Sequence, residues 1–178
     1  MIILKNEYDS YLAQALATTS FVVELDKINF LDSKDFKEMN FDNPSYKDIL
    51  MHSTLGNPAT LQMFLYSLLV LPKELSKKGI INFDFKNLNN KIDSMVIYCN
   101  SDYSSDIKGV DYIYHIRNAT AHGNFEFTSH KGKTTVVYKD KNRKNKAAEI
   151  MLYTADVGTI LIELQKIILN YFKKQYNW

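Results

Sequence analysis

The sequence predicts a mainly helical single domain over residues 1–178, with a small β-hairpin at about 124–153, and three observations carry that expectation. Apolar residues recur at helical spacing in five segments; the clearest alternating stretch is short and turns at a glycine; and a hydrophobic fraction of 46% is spread along the whole chain. A chain of this length buries about 70% of the surface it would expose unfolded, so it needs no disulfide or metal to hold a core. The same apolar content excludes a disordered chain, which lacks the surface to offset chain entropy.

Each element has its own signal. Tyr8, Tyr11, Leu12, Ala15, Thr19, Val22 and Val23 keep a three-and-four spacing, and Asn6 followed by Asp9 forms a cap, so the first helix should run from Asn6 to about Asp26. From about 27 to 57 there is no clean period, which predicts an irregular connection. Asn57-Pro58 opens a second helix with Leu61, Phe64, Leu65, Leu68 and Leu69 as its core stripe. Met63, Tyr66 and Val70 on its other side predict a helix enclosed by others, bent or ended at Pro72. Residues 83–100 carry Leu88, Ile92, Met95, Val96 and Cys99 at helical spacing and read as a third helix.

A fourth helix should start at Ser104 or Ser105 and finish at His122, because Gly123 directly after it is suited to the left-handed closing conformation. Residues 124–128 and 133–138 alternate around His130-Lys131-Gly132 as a hairpin, and 149–153 could add a short third strand. Ile160, Leu161, Leu164, Ile167, Ile168 and Tyr171 mark a closing helix that ends in Lys173-Lys174.

Composition bounds the function classes. Cys99 is the single cysteine, so no intramolecular disulfide forms and a reducing cytoplasm fits. The stretch Met1 to Glu7 turns charged too early for a signal peptide, and the longest apolar run, Leu61 to Leu71, falls short of the roughly 20 residues that cross a bilayer, so no membrane role is expected. A net charge of +2 leaves any nucleic-acid contact to local patches. His52 and His130 have no ligand spacing with each other or with Cys99, which argues against a metal site, and no cofactor is expected. Cys99 itself reads as core packing.

On the fourth helix Val110, Ile113, Tyr114, Arg117 and Ala121 fall on one stripe, which places a guanidinium among apolar residues. An inward cation needs a partner or a ligand. His115, Asn118 and His122 form a neighbouring stripe, so one helix end presents a guanidinium, an amide and an imidazole together. These groups suit phosphodiester chemistry: imidazole moves protons near neutral pH and guanidinium braces a phosphate with two parallel hydrogen bonds. RNA brings its own nucleophile in the 2′-hydroxyl, so a proton acceptor and a charge stabiliser suffice. A blander reading stands beside this one, in which His122 interacts with the helix carbonyls and Arg117 pairs with a structural carboxylate.

The segment Tyr112-Ile113-Tyr114-His115-Ile116-Arg117-Asn118-Ala119-Thr120-Ala121-His122-Gly123-Asn124-Phe125-Glu126 resembles the signature of HEPN proteins, in which Arg and His stand four to six residues apart with a polar residue after the Arg. The resemblance covers the last third of the chain well and the first half only as a helical framework. It implies a HEPN-like helical bundle, homodimerisation that joins two Arg/His pairs in one cleft, and metal-independent RNA cleavage, often in toxin–antitoxin or phage-defence systems with a partner protein. On that basis Arg117, His122 and Asn118 are the candidate catalytic set, with Arg117 stabilising the phosphorane and His122 handling protons.

Lys139, Lys141, Arg143, Lys144 and Lys146 crowd one loop with only Asp140 in opposition. Lys141, Arg143 and Lys144 are the expected phosphate contacts, with a solvated loop as the alternative. His115 is expected at the rim of the cleft, also on RNA. The rival functions are a non-catalytic HEPN module that binds a partner protein or nucleotide, and a purely structural helical interaction protein.

Overall fold

The computed structural model describes residues 6–176, so the reading of Met1 to Lys5 falls outside the described residues. Helix α1, Glu7–Lys27, opens as its cap signal predicts: the Asn6 side chain accepts from the Asp9 backbone N–H at 2.8 Å. Asp9 is buried and ties α1 to the end of the chain, accepting from Asn6 Nδ2 at 3.0 Å and from the Tyr171 hydroxyl at 2.8 Å, with the Tyr176 hydroxyl against it as well.

The stretch expected to be irregular contains two helices, α2, Lys34–Glu38, and α3, Pro44–Ser53. Their signals are local rather than periodic. Ser33 caps α2 by accepting from Phe36 N–H, and Asn43 caps α3 with Pro44 in its first turn. No residue of α3 is fully buried, which is why no apolar period announces it.

Asn57 caps α4, Pro58–Leu65, and the helical path continues through a π turn, Tyr66–Val70, into α5, Leu71–Lys77. Pro72 therefore does not end the path. Its ring would clash with the carbonyl four residues back in a regular helix, and the wider turn just before it relieves that crowding. Leu65, Leu68 and Leu69 are fully buried, each stabilising the fold by roughly 1.5–3 kcal/mol through removal from water. The prediction of an enclosed helix fails on one side: Val70 is buried, but Met63 and Tyr66 are exposed at 67% and 54%.

The third predicted helix is shorter than its spacing suggests. Helix α6, Lys86–Asp93, ends before Cys99, and 98–101 become a strand, β1, Tyr98–Ser101. The apolar spacing from Leu88 to Cys99 spans a helix, a turn and a strand that pack on the same core. The fourth helix also starts later than expected. A 3-10 turn, Ser104–Lys108, precedes Gly109 at φ 143, and α7, Tyr112–Ala121, begins only after Asp111.

The predicted hairpin belongs to a larger sheet. Strands β2, Phe125–His130, β3, Lys133–Lys141, and β4, Ala147–Tyr153, join β1 in the order β1-β4-β3-β2, all antiparallel. Tyr138 lies opposite Phe125 on one side and Ile150 on the other. Val136, Tyr138, Ile150 and Leu152 fill the core beneath α7 and the closing helix α8, Thr154–Tyr176. Among the described residues no helix is long and apolar enough to cross a membrane.

Candidate active site

Helix α7 is held at both ends. Asp111 caps its start by accepting from Tyr114 N–H at 2.9 Å. At its close Gly123, at φ 66, lets its own N–H reach the Thr120 carbonyl at 3.3 Å and the Asn124 N–H reach the Ala119 carbonyl at 2.9 Å. This paired closure needs a residue at ease in the left-handed region, so the predicted role of Gly123 is met, with Ala121 the last residue of α7 and His122 its cap. One face of α7 packs on β3 and the π turn.

Arg117 sits on that inner side, its side chain only 11% exposed. Nη1 donates to Asn118 Oδ1 at 2.6 Å, Nη2 meets the Glu74 carboxylate of α5, and Nε is buried without a hydrogen-bond partner. Burial pushes the guanidinium below its ordinary value, and the negative charge of Asp140 opposes the shift. A guanidinium starts so high that it keeps its charge.

Asn118 is buried and linked to the sheet. Its Nδ2 donates to Asp140 Oδ2 at 3.2 Å. The same oxygen accepts from the Tyr103 hydroxyl at 3.1 Å and lies 2.8 Å from His115 Nδ1, so three side chains converge on one atom of β3. His115 Nε2 lies 2.8 Å from Asp106 Oδ2, which also accepts from Ser101 Oγ. Burial pushes the Asp106 carboxyl up, but hydrogen bonds from Ser101 and His115 outweigh it and leave the group below its usual range. The Tyr103 hydroxyl is driven up by burial and by the charge of Asp140 that it serves.

His115 therefore does not lie at the rim. It is 1% exposed and both ring nitrogens face carboxylates, so it has no edge left for RNA. The ring turns inward against β3, where Tyr103 also packs edge-on at 4.7 Å between ring centroids. His122, at the end of the His115, Asn118, His122 stripe, is exposed. Among the described residues no hydrogen bond or ion pair joins its imidazole to Arg117 or Asn118. The structure thus brings Arg117 and Asn118 into contact and sets His122 on the solvent side of the same helix end.

The basic loop is partly strand. Lys139 and Lys141 lie on β3, Lys139 pairs with Glu126 at 3.0 Å, and Asp140 between them points inward rather than opposing their charge. Arg143 and Lys144 occupy the β3–β4 turn, where Asn142 Oδ1 accepts from the Lys144 and Lys146 N–H groups at 2.9 and 3.0 Å. Their side chains and that of Lys141 are exposed on a fixed backbone. Beside Thr120 of α7, an open apolar groove of about 630 Å³ is lined by Met63, Tyr66, Phe125 and Phe127.

Sequence reasoning missed Glu74, Tyr103, Asp106 and Asp140. The alternation of β3 held the signal for Asp140: Val136 and Tyr138 point inward, and the residue two further on shares their face. Nothing local marks Asp106 or Glu74, whose partners are 9 and 43 residues distant in the chain, by their numbers.

No curated protein and no solved structure gives a match to this chain. A family model described as HEPN pEK499 p136 matches residues 5–175. That match takes in every described helix and strand except the last residue of α8, and with it the Arg117 to His122 segment, so the chain belongs to the HEPN pEK499 p136 family and carries a HEPN domain.

Proposed function

We propose that this protein is a metal-independent endoribonuclease that cleaves RNA by attack of the 2′-hydroxyl on the adjacent phosphorus. The observation that carries the reading is a contrast within one turn and a half of α7. Arg117 is nearly buried and braced by Asn118, while His122 faces solvent at the helix end. A fixed guanidinium stabilises the charge that develops at phosphorus, and an accessible imidazole moves protons. In the step itself the 2′-oxygen bonds to phosphorus as its proton passes to His122. The bond to the 5′-oxygen breaks, and that oxygen takes a proton back, leaving a 2′,3′-cyclic phosphate and a 5′-hydroxyl.

Two features widen the site. Exposed Lys141, Arg143 and Lys144 serve the RNA backbone, and a second copy of the chain seated against the Met63, Tyr66 and Phe127 groove supplies a second Arg117/His122 pair. The setting is a cytoplasmic toxin–antitoxin or phage-defence system with a partner protein. Family membership supports a nuclease or defence module as the general class.

A second reading has its own observation. The Arg117 contact with Glu74 is what a non-catalytic module, binding a partner protein or nucleotide, would use to hold its helix end. Purified protein incubated with RNA in excess chelator separates the two. The nuclease reading expects cleavage with cyclic phosphate ends, a fall of about 10² to 10⁴ in rate for His122→Ala, and failure of Arg117→Lys, whose point charge lacks the planar fork. Cleavage that requires added magnesium, or a His122→Ala protein that cuts as fast as wild type, would refute the mechanism.

A further inference from the structure

Asp140 gathers three side chains from two parts of the chain on one oxygen: His115 of α7 at 2.8 Å, Asn118 of α7 at 3.2 Å, and Tyr103 from the segment after β1 at 3.1 Å. A carboxylate oxygen with three converging donors has little freedom, and at 6% exposure little water competes for it. His115 adds a second anchor. Each of its ring nitrogens is 2.8 Å from a carboxylate oxygen, and a neutral imidazole would aim a lone pair at one of them.

We propose that Asp140, clamped by the His115 ring against Asp106, is the positioning residue of the ribonuclease site: it holds Asn118 so that Oδ1 fixes the Arg117 guanidinium in its working orientation. The inference rests on the nuclease reading for its kinetic consequence, and on the geometry alone for its structural one. Asn118 has one amide, with Nδ2 on Asp140 and Oδ1 on Arg117, so turning the first bond turns the second. Asp140 and His115 touch no reacting atom in this scheme. Their effect reaches the phosphate through Arg117.

The test compares Asp140→Asn and Tyr103→Phe with wild type in the full-length protein, reading RNA cleavage and the nitrogen-15 NMR signals of the Arg117 side chain. Asp140→Asn keeps the shape, removes the charge and weakens the grip on both donors. A misplacement of about 1 Å in a fixed catalytic group can lower the rate about 10²-fold, so kcat should fall by an amount of that order while KM stays within a few fold. The Arg117 nitrogens should give sharp signals of a held side chain in wild type and broaden towards free rotation in the variant. Should Asp140→Asn fail to fold, Tyr103→Phe removes one donor from the same oxygen without exposing a charge and should produce smaller changes of the same sign. Combined with Asn118→Ala, Asp140→Asn should cost no further activity, because both act through one bond.

A wild-type rate with an unchanged Arg117 spectrum in the folded variants would overturn the proposal. If wild type cleaves no RNA at all, the ribonuclease reading falls. The spectra then decide the positioning claim alone: release of Arg117 on substitution upholds it and a locked Arg117 rejects it.

Discussion

Removing His115 should unbalance two buried carboxylates at once. In His115→Leu the ring that separates Asp106 and Asp140 becomes apolar, while their side chains stay 5% and 6% exposed. With each oxygen 2.8 Å from its ring nitrogen, the two carboxylates stand roughly 7 Å apart, where like charges repel by about 2 kcal/mol at an effective dielectric of about 20. Two hydrogen bonds to charged groups are lost as well, each worth about 1.5–3 kcal/mol. Partial reprotonation and water entry trim that sum towards the 3–5 kcal/mol typical of breaking a buried ion pair from one side. For a chain of this length each kcal/mol moves the melting temperature by about 2–4 °C, so His115→Leu should melt about 6–20 °C lower.

Urea titration gives the free energy directly, and adding Asp106→Asn to His115→Leu should recover part of the loss by removing one repelling charge. A His115→Leu protein within about 1 kcal/mol of wild type, or a double variant less stable than the single, would refute the pairing of His115 with both carboxylates. Acid titration checks the same group from the other direction. A carboxylate held below its unfolded value contributes stability that is present above that value and lost as pH falls through the folded one. Burial works against Asp106, yet hydrogen bonds from Ser101 and His115 leave it low. Its contribution should therefore be full above about pH 4 and fade below, and Asp106→Asn should flatten that acid limb.

The exposed cations and the groove give two further expectations. Replacing Lys141, Arg143 and Lys144 with Gln should weaken RNA binding and lower the salt slope by about 2, at about 0.7 per phosphate contact on a single strand, with far-ultraviolet circular dichroism unchanged; an unaltered slope would make these residues solvated surface. Sedimentation at micromolar concentration should give about twice the 20.7 kDa of the chain, and Met63→Glu should shift it to a monomer if a second copy covers the groove.

Much of this architecture was legible because caps and periodicity are local. Asn6, Asn57 and Gly123 each announce an element boundary within a few residues, and the closing helix repeats its apolar stripe from Val157 to Phe172. Helices α2 and α3 escaped because their surfaces stay largely exposed, so caps without a stripe were their whole signal. The segment around Cys99 misled for the opposite reason: its apolar residues face one core from a helix and then from a strand, and spacing alone cannot see the change. Arg117 and Asn118 were legible as a pair of neighbours on one helix. The inward turn of His115 was not, since its direction is set by Asp106 and Asp140, which tertiary pairing alone brings to its two sides.

That dependence on tertiary pairing makes the sheet part of the site. Asp140 faces α7 because it shares the inward side of β3 with Tyr138, whose place is fixed opposite Phe125 and Ile150. The pleat repeats every two residues, so a slip of β3 by one position would turn Asp140 to solvent and bring Lys139 or Lys141 against His115. A lysine there would meet the His115 ring and a guanidinium, and Asn118 would lose the acceptor for its Nδ2. The core residues Val136 and Tyr138 resist that slip for reasons of packing alone, each being removed almost wholly from water. Hydrophobic burial in the strand thus sets, at a distance of two residues, the electrostatics at the end of the helix. A substitution that loosens Tyr138 would reach Arg117 without touching it.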